Sequence, residues 1–185
     1  MEIKFFEKEN DLLIREMAEL LAEAFPHCYG DCTVKDMEEY LEDERIALMA
    51  VEDGHLLGFV GAMPQYDYAW ELHPLVVKKE YQHQGIGTML VRALEKECAE
   101  RGVFTVYLGA DDEFEKTSLG GTDLFEDTYE KIQNIKNLKG HPFEFYEKLG
   151  YCIVGVIPDA NGEGKPDIFM ARRIREISKE VRTAL

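Results

Sequence analysis

The chain has 185 residues, and 37 acidic against 21 basic side chains give a formal net charge of −16. That length suits one domain, and a hydrophobic content of 45% excludes a disordered chain. The acidity argues against a general nucleic-acid binder, which needs a basic footprint, and permits a polycationic ligand, with solubility alone as the plain alternative.

No run of about 20 apolar residues occurs, so no membrane partner is expected. The start, Met1 to Lys8, lacks the apolar stretch of a secretory signal. Cys98 and Cys152 fall in apolar patterns and read as buried, reduced thiols, which suits a cytoplasmic protein. Cys28 and Cys32, with His27 beside them, lack zinc-knuckle spacing and a second ligand pair, so no metal is expected.

In chain order, residues 3–6 read as a first strand. A helix follows from Asn10 or Asp11 to about Ala24, with Leu13, Met17, Leu20, Leu21 and Ala24 at helical spacing. Pro26 and Gly30 break the pattern. Thr33, three residues before Asp36, starts a helix over 34–42 with Met37 and Leu41 on one face. A meander comes next: Arg45–Glu52, an Asp53-Gly54 turn, Leu56–Met63, a loop from Pro64 and a third strand over Trp70–Val77. Gly58 and Gly61 admit close backbone approach. Pro74 inside a strand predicts a bulge or an edge, because proline cannot donate to the ladder.

Residues 81–87 feed a helix from Thr88 to about Arg101, with Leu90, Ala93, Leu94 and Cys98 on its buried face and Gly102 at its end. Strand 70–77, this helix and a strand over 103–109 make a parallel βαβ unit. After a polar loop at 110–123, the spacing of Leu124, Tyr129, Ile132 and Ile135 predicts a helix over 124–138. Pro142 starts a short helix through Lys148, closed by Gly150. Strands follow at Tyr151–Ile157 and Asp167–Arg172 around a turn at 161–164. The charged tail, about 173–185, is expected to be helical or frayed. With no repeat and no linker, 1–185 reads as a single α/β (α+β) domain.

The segment Gln82-His83-Gln84-Gly85-Ile86-Gly87-Thr88 carries the most chemistry. Its glycines clear side chains from the backbone N–H groups where a helix begins. The helix N-terminus adds partial positive charge, so the segment reads as a phosphate cradle. It lacks the Gly-Lys-Ser/Thr of a Walker loop and has only Gly85-x-Gly87 of a dinucleotide fingerprint. A glycine-rich turn that merely starts a helix is the plain alternative.

The spacing Gln82-x-x-Gly85-x-Gly87 resembles the acyl-CoA pyrophosphate loop of the GNAT N-acetyltransferase superfamily, and Phe145-Tyr146-Glu147-Lys148-Leu149-Gly150-Tyr151 resembles its second hallmark. Within that superfamily, Pro64-Gln65-Tyr66, Trp70 to Val77, Tyr107-Leu108-Gly109, Thr122-Asp123-Leu124, His141 to Tyr146, and Asn161-Gly162 with Lys165 to Ile168 resemble the aminoglycoside 6′-N-acetyltransferases of a homodimeric subgroup. The likeness runs from about residue 11 to 172. Lys139 stands where many members carry asparagine, so no CoA contact in that segment is carried over.

The resemblance implies a GNAT acyl-CoA N-acyltransferase fold, a mixed and mostly antiparallel sheet flanked by helices with the parallel βαβ unit at the CoA site. It implies acetyl-CoA as cosubstrate, an aminoglycoside or other polycationic amine as acceptor, and a homodimer. Backbone groups of Leu75, Val76 and Val77 would bind the pantetheine arm and the thioester oxygen. Gln82, His83, Gln84, Gly85, Ile86, Gly87 and Thr88 would hold the pyrophosphate. Tyr146 would serve the leaving thiolate, against a plain reading as a core aromatic. Glu71 would bind the substrate ammonium and accept its proton. His73 could do either job or simply hold the bulge at Pro74. Tyr66, Asp111 and Asp112 would contact the acceptor, although the two aspartates could equally cap a turn. A GNAT enzyme for polyamines or protein amines, and a non-enzymatic acyl-CoA sensor, are the alternatives.

Overall fold

The computed structural model describes residues 1–31, 34–42 and 44–176. Cys32 and Thr33 lie outside them, and with them the expected cap at Thr33 and the expectation made for the Cys28–Cys32 pair. The chain divides into two compact units, Met1–Phe104 with the segment from Ile174 onward, and Thr105–Arg173.

In the first unit, β1 (Glu2–Phe5), β2 (Ile46–Glu52), β3 (His55–Pro64) and β4 (Ala69–Val77) pair antiparallel in that order. Asp53 and Gly54 both take positive φ, as a tight two-residue hairpin requires. Helix α1 (Asp11–Ala24) starts where Asn10 caps it, the Asn10 side chain accepting from the Leu13 N–H at 3.3 Å. Its Leu13, Ile14, Met17 and Leu21 pack against Met49, Val51, Leu56 and Phe59. A short helical turn, α2 (Pro26–Tyr29), forms where the sequence suggested only a break, and α3 (Val34–Glu42) adds Met37 and Leu41 to the same core. Helix α4 (Ile86–Glu100) buries Leu90, Val91, Leu94 and Cys98. Burial pushes the Cys98 thiol up to about 12, so it stays protonated and unreactive. Ala47, Met49 and Val51 belong to the α1 core, while Leu48 and Ala50 between them are buried as well. Strand β2 is therefore covered on both faces, which explains its unbroken apolar run.

In the second unit, β5 (Thr105–Asp111), β7 (Asp167–Arg173) and β6 (Cys152–Ile157) pair antiparallel with β7 in the middle. Strand β5 begins and ends two residues later than the sequence suggested. Helix α5 (Thr128–Gln133) is far shorter than the predicted 124–138. Asp127 at φ 50 blocks helix upstream. Downstream, Lys136 and Leu138 are tied to Ser118 and Lys116, and Thr117 bridges Asn137. Tyr129, placed on the buried face of that longer helix, is 87% exposed. Cys152 is also exposed, a correction to the buried thiol expected, because β6 pairs only with β7 in this unit and Cys152 begins it. Helix α6 (Phe143–Lys148) follows Pro142 as predicted, and Gly150 takes the left-handed conformation after it.

The feature that shapes β4 is the predicted bulge. Val60 pairs with Leu75 and Ala62 with Leu72, so His73 and Pro74 both stand opposite Gly61. A Cβ on Gly61 would meet the Tyr40 hydroxyl and, at 2.7 Å, the His73 carbonyl oxygen. That hydroxyl donates to the same carbonyl at 2.9 Å. Gly61→Ala should therefore destabilise the protein by about 1–3 kcal/mol through overpacking. Gly155→Ala, where a Cβ meets nothing within 4 Å, should stay within about 1 kcal/mol of wild type in the same urea titration. Equal midpoints for all three proteins would show that the close approach at Gly61 carries no energy.

Candidate active site

In the first unit, the segment 82–88 joins β4 to α4. Lys78 follows β4, its N–H bonded to the Leu57 carbonyl and its Nζ 3.7 Å from the half-buried Glu16 carboxylate. Glu16 in turn accepts from the Leu56 N–H at 2.6 Å and lies 2.8 Å from His55 Nδ1, so α1 and the end of β4 are clamped to the start of β3. A 3₁₀ turn at Lys79–Tyr81 then leads to the loop. Gln82 Nε2 donates to the Val77 carbonyl and Gln84 Nε2 to the Glu80 carbonyl, each at 3.0 Å. The two glutamine side chains therefore tie the loop back to the end of β4 and to the 3₁₀ turn.

His83 and Gly85 take φ of 60 and 87, and a Cβ on Gly85 would meet nothing within 4 Å. Met89 donates the first bond of α4, to the Gly85 carbonyl, and no side chain caps the helix. The N–H groups of Ile86, Gly87 and Thr88 thus precede the helical ladder at the positive end of a 15-residue helix. The helix starts two residues earlier than predicted, which brings Ile86 and Gly87 into its first turn. Open space above Gly85 and uncapped N–H groups fit a pyrophosphate.

Strand β4 carries the other first-unit residues. Leu75, Val76 and Val77 pair with Val60, Phe59 and Gly58, with Val76 buried and its neighbours half-buried. Glu71 is half-buried opposite Met63. It makes no hydrogen bond or ion pair among the described residues, so its carboxylate is available to a cation. His73 is committed otherwise: Nε2 lies 2.9 Å from the Tyr29 hydroxyl, and the two rings stack with centroids 6.4 Å apart. Together with the Tyr40 bond to its carbonyl, this makes His73 a support of the bulge. Tyr66 lies in the loop before β4 and is 69% exposed, its N–H bonded to the Ala69 carbonyl.

In the second unit, Tyr146 sits on α6, its ring edge-on to Tyr151 at 5.7 Å and to Phe145 at 5.0 Å. Burial pushes its phenol well above the usual tyrosine range, so it stays protonated at physiological pH. Asp111 ends β5 exposed, one carboxylate oxygen accepting from Asn161 Nδ2 at 2.5 Å.

Asp112, expected to face an acceptor, is fully buried. It accepts from the Lys116 N–H at 2.6 Å, the Thr117 N–H at 2.9 Å and the Thr117 hydroxyl at 2.7 Å. The turn-capping role wins there, and Asp112 is withdrawn from the substrate contacts. Sequence reasoning gave no role to Asn137, His141 and Asn161, which fix α6 and Asp111. The signal for His141 would have been a polar ring beside Pro142 that needs partners when buried. Among the described residues, no group of three His, Cys, Asp or Glu side chains could hold a metal.

The Acetyltransferase (GNAT) family matches residues 14–120. A crystal structure of an aminoglycoside 6′-N-acetyltransferase complexed with coenzyme A is 49% identical, with 97% of this chain and 100% of that chain covered and a TM-score of 0.94. The aminoglycoside 6′-N-acetyltransferase from Enterococcus faecium is likewise 49% identical, with the same coverage and a TM-score of 0.91. A curated relative from Bacillus methanolicus, an uncharacterized N-acetyltransferase in the lysA 3′ region, is 32% identical over 59 residues. That match covers 31% of this chain and about half, 49%, of the relative's length. With the family match spanning more than half of the chain, the protein belongs to the GNAT acetyltransferase family and has its fold.

Proposed function

We propose that the protein is an acetyl-CoA-dependent aminoglycoside 6′-N-acetyltransferase, which moves the acetyl group to the 6′-amino group by direct attack and so confers antibiotic resistance. The observation that carries this reading is 49% identity along nearly the whole chain to the aminoglycoside 6′-N-acetyltransferase solved with coenzyme A. The family match runs from residue 14 to 120, through the boundary between the two units, which supports one GNAT domain over 1–185. A cytoplasmic site accords with the free thiols of Cys28, Cys98 and Cys152. A homodimer accords with the subgroup that the sequence resembles. The net charge of −16 suits a polycationic acceptor and not nucleic acid.

The chemistry divides among the residues as follows. The main chain of 82–88 grips the pyrophosphate, with the Thr88 hydroxyl as a further donor, and the backbone of Leu75–Val77 binds the pantetheine arm and the thioester oxygen. Acetyl-CoA supplies the acyl group already activated as a thioester. An alkylammonium starts near pKa 10.4 by analogy with lysine, so few 6′-amines are neutral at pH 7. Glu71 holds that ammonium and takes one proton, directly or through water. Attack forms the C–N bond and breaks the C–S bond. Tyr146 donates to the leaving sulfur. Its phenol is a weaker acid than a thiol, near 8.5, so it stabilises the thiolate by hydrogen bonding until the second amine proton reaches the sulfur. Overall one amine proton goes to solvent and one to the CoA thiol.

Three outcomes check these roles. Gly87→Glu sets a carboxylate against the first turn of α4, and calorimetry should find acetyl-CoA affinity about tenfold weaker, roughly 1.4 kcal/mol. Unchanged affinity in the folded variant would take the loop out of the site.

Glu71→Gln should lower kcat/KM for kanamycin by about 10- to 100-fold and leave acetyl-CoA binding intact. Added salt should raise the wild-type KM for kanamycin by screening the acidic field. Wild-type kinetics in Glu71→Gln would end its role.

Tyr146→Phe should cut kcat by about 10- to 100-fold. Because the phenol is raised above its ordinary 10.0, wild-type kcat should show no alkaline loss from Tyr146 below pH 10.0. Equal kcat in the variant, with chemistry rate-limiting, would leave Tyr146 a core aromatic.

A further inference from the structure

A second-unit network lies between the end of β5 and the start of α6, and the Asn137 and His141 side chains that build it have no part in the reaction as described. Its centre is His141, 2% exposed. The His141 N–H donates to Asn137 Oδ1 at 2.8 Å, and Asn137 Nδ2 donates back to the His141 carbonyl at 2.9 Å. His141 Nε2 lies 3.1 Å from the Asp111 carbonyl oxygen, and the Phe143 N–H points at His141 Nδ1 from 3.2 Å. A carbonyl can only accept and a backbone N–H can only donate. Nε2 therefore carries the proton and Nδ1 does not, so the imidazole is neutral. Burial favours that form, holding the imidazole below its ordinary pKa against the pull of Asp111 and Asp112 and together with the charge of Lys116.

Helix α6 needs such an anchor. It spans six residues, too few to be stable alone. Pro142 brings no N–H, and no side chain at the cap position bonds to the helix. The His141 ring supplies what the cap does not, an acceptor for the first helical N–H, while its other nitrogen is fixed to the last residue of β5. Tyr146 follows within the same helix, its N–H bonded back to the Pro142 carbonyl at 3.4 Å. We propose that His141 is a positioning residue for Tyr146: by tying the first N–H of α6 to the end of β5, it aims the phenol at the departing sulfur. The inference rests on the reading of Tyr146 given above.

The test is a pair of double-mutant cycles on the full chain, read by thiol release from acetyl-CoA with saturating kanamycin. A glutamine at 141 can reach the Asp111 carbonyl or the Phe143 N–H but cannot bridge both as the ring does. Asn137→Ala removes the outer clamp and leaves the ring in place. Each of His141→Gln and Asn137→Ala should lower kcat by about tenfold in the wild-type background, with KM for acetyl-CoA within about twofold of wild type. Neither should cost more than about twofold once Tyr146→Phe has already removed the hydroxyl. A general structural defect would cost the same in both backgrounds, and that result would overturn the proposal. So would unchanged kcat in folded His141→Gln while Tyr146→Phe is impaired, an outcome that leaves the role of Tyr146 standing. Unchanged kcat in Tyr146→Phe alone would remove both. If His141→Gln does not fold, the Asn137→Ala cycle decides on the same terms.

Discussion

The first unit is organised by the place where His73 and Pro74 stand opposite the single residue Gly61. An extra residue in one strand bends it and increases its twist. Here the bend falls between Glu71 and the Leu75–Val77 stretch, so the two halves of β4 need not share one continuous pleat. The close packing around Gly61 holds it: Tyr40 bonds the His73 carbonyl, Tyr29 engages the His73 ring, and Tyr40 packs edge-on to the core residue Phe59 with centroids 5.8 Å apart. Strand β4 then leads, through the 3₁₀ turn at Lys79–Tyr81, to the loop at 82–88, where the Gln82 and Gln84 side chains bond back to the Val77 and Glu80 carbonyls. The bulge, the strand and the loop at 82–88 follow one another within a single unit.

The second unit solves a different problem. Helix α6 is short, so the direction of its Tyr146 ring depends on neighbouring side chains. Tyr151 and Phe145 set the ring by edge-on packing, and the His141 network sets the helix start. The loop after β5 is tied down in the same way, with Asp112 collecting three donors from Lys116 and Thr117. Those three bonds offset part of the cost of placing a carboxylate in the interior. Asp111, one residue earlier, keeps its carboxylate at the surface, where Asn161 donates to it.

The parts of this arrangement that were legible in the sequence are those fixed by local chemistry. Asp53-Gly54 can only be a tight turn, Pro74 can only interrupt a ladder, and glycines flanking a helix start expose its N–H groups. The α1 cap at Asn10 and the stop at Gly150 follow the same logic. Where the outcome depends on distant partners, the letters are ambiguous. Asp111 and Asp112 are identical in type and adjacent, and only the folding back of Lys116 and Thr117 sends one inward. The apolar spacing over 124–138 fits a helix, but Asp127 turns left-handed and 136–138 prefers bonds to 116–118. Cys152 reads as a core residue until the strand order makes β6 the outer partner of β7. The GNAT fold itself was legible, because its two hallmark segments are short and each sits on one element.

The claim on which the rest depends is the acceptor, and it is tested most directly by acetyl-CoA turnover with a matched panel: kanamycin, an aminoglycoside with a 6′-hydroxyl, spermidine and a basic peptide, with NMR of the kanamycin product. The account predicts that kanamycin has the highest kcat/KM, that its acetyl group sits on the 6′-nitrogen and not the 3-nitrogen, and that the 6′-hydroxyl compound is inert. Turnover of the 6′-hydroxyl compound comparable to kanamycin, or a preference for spermidine or the peptide, would contradict it.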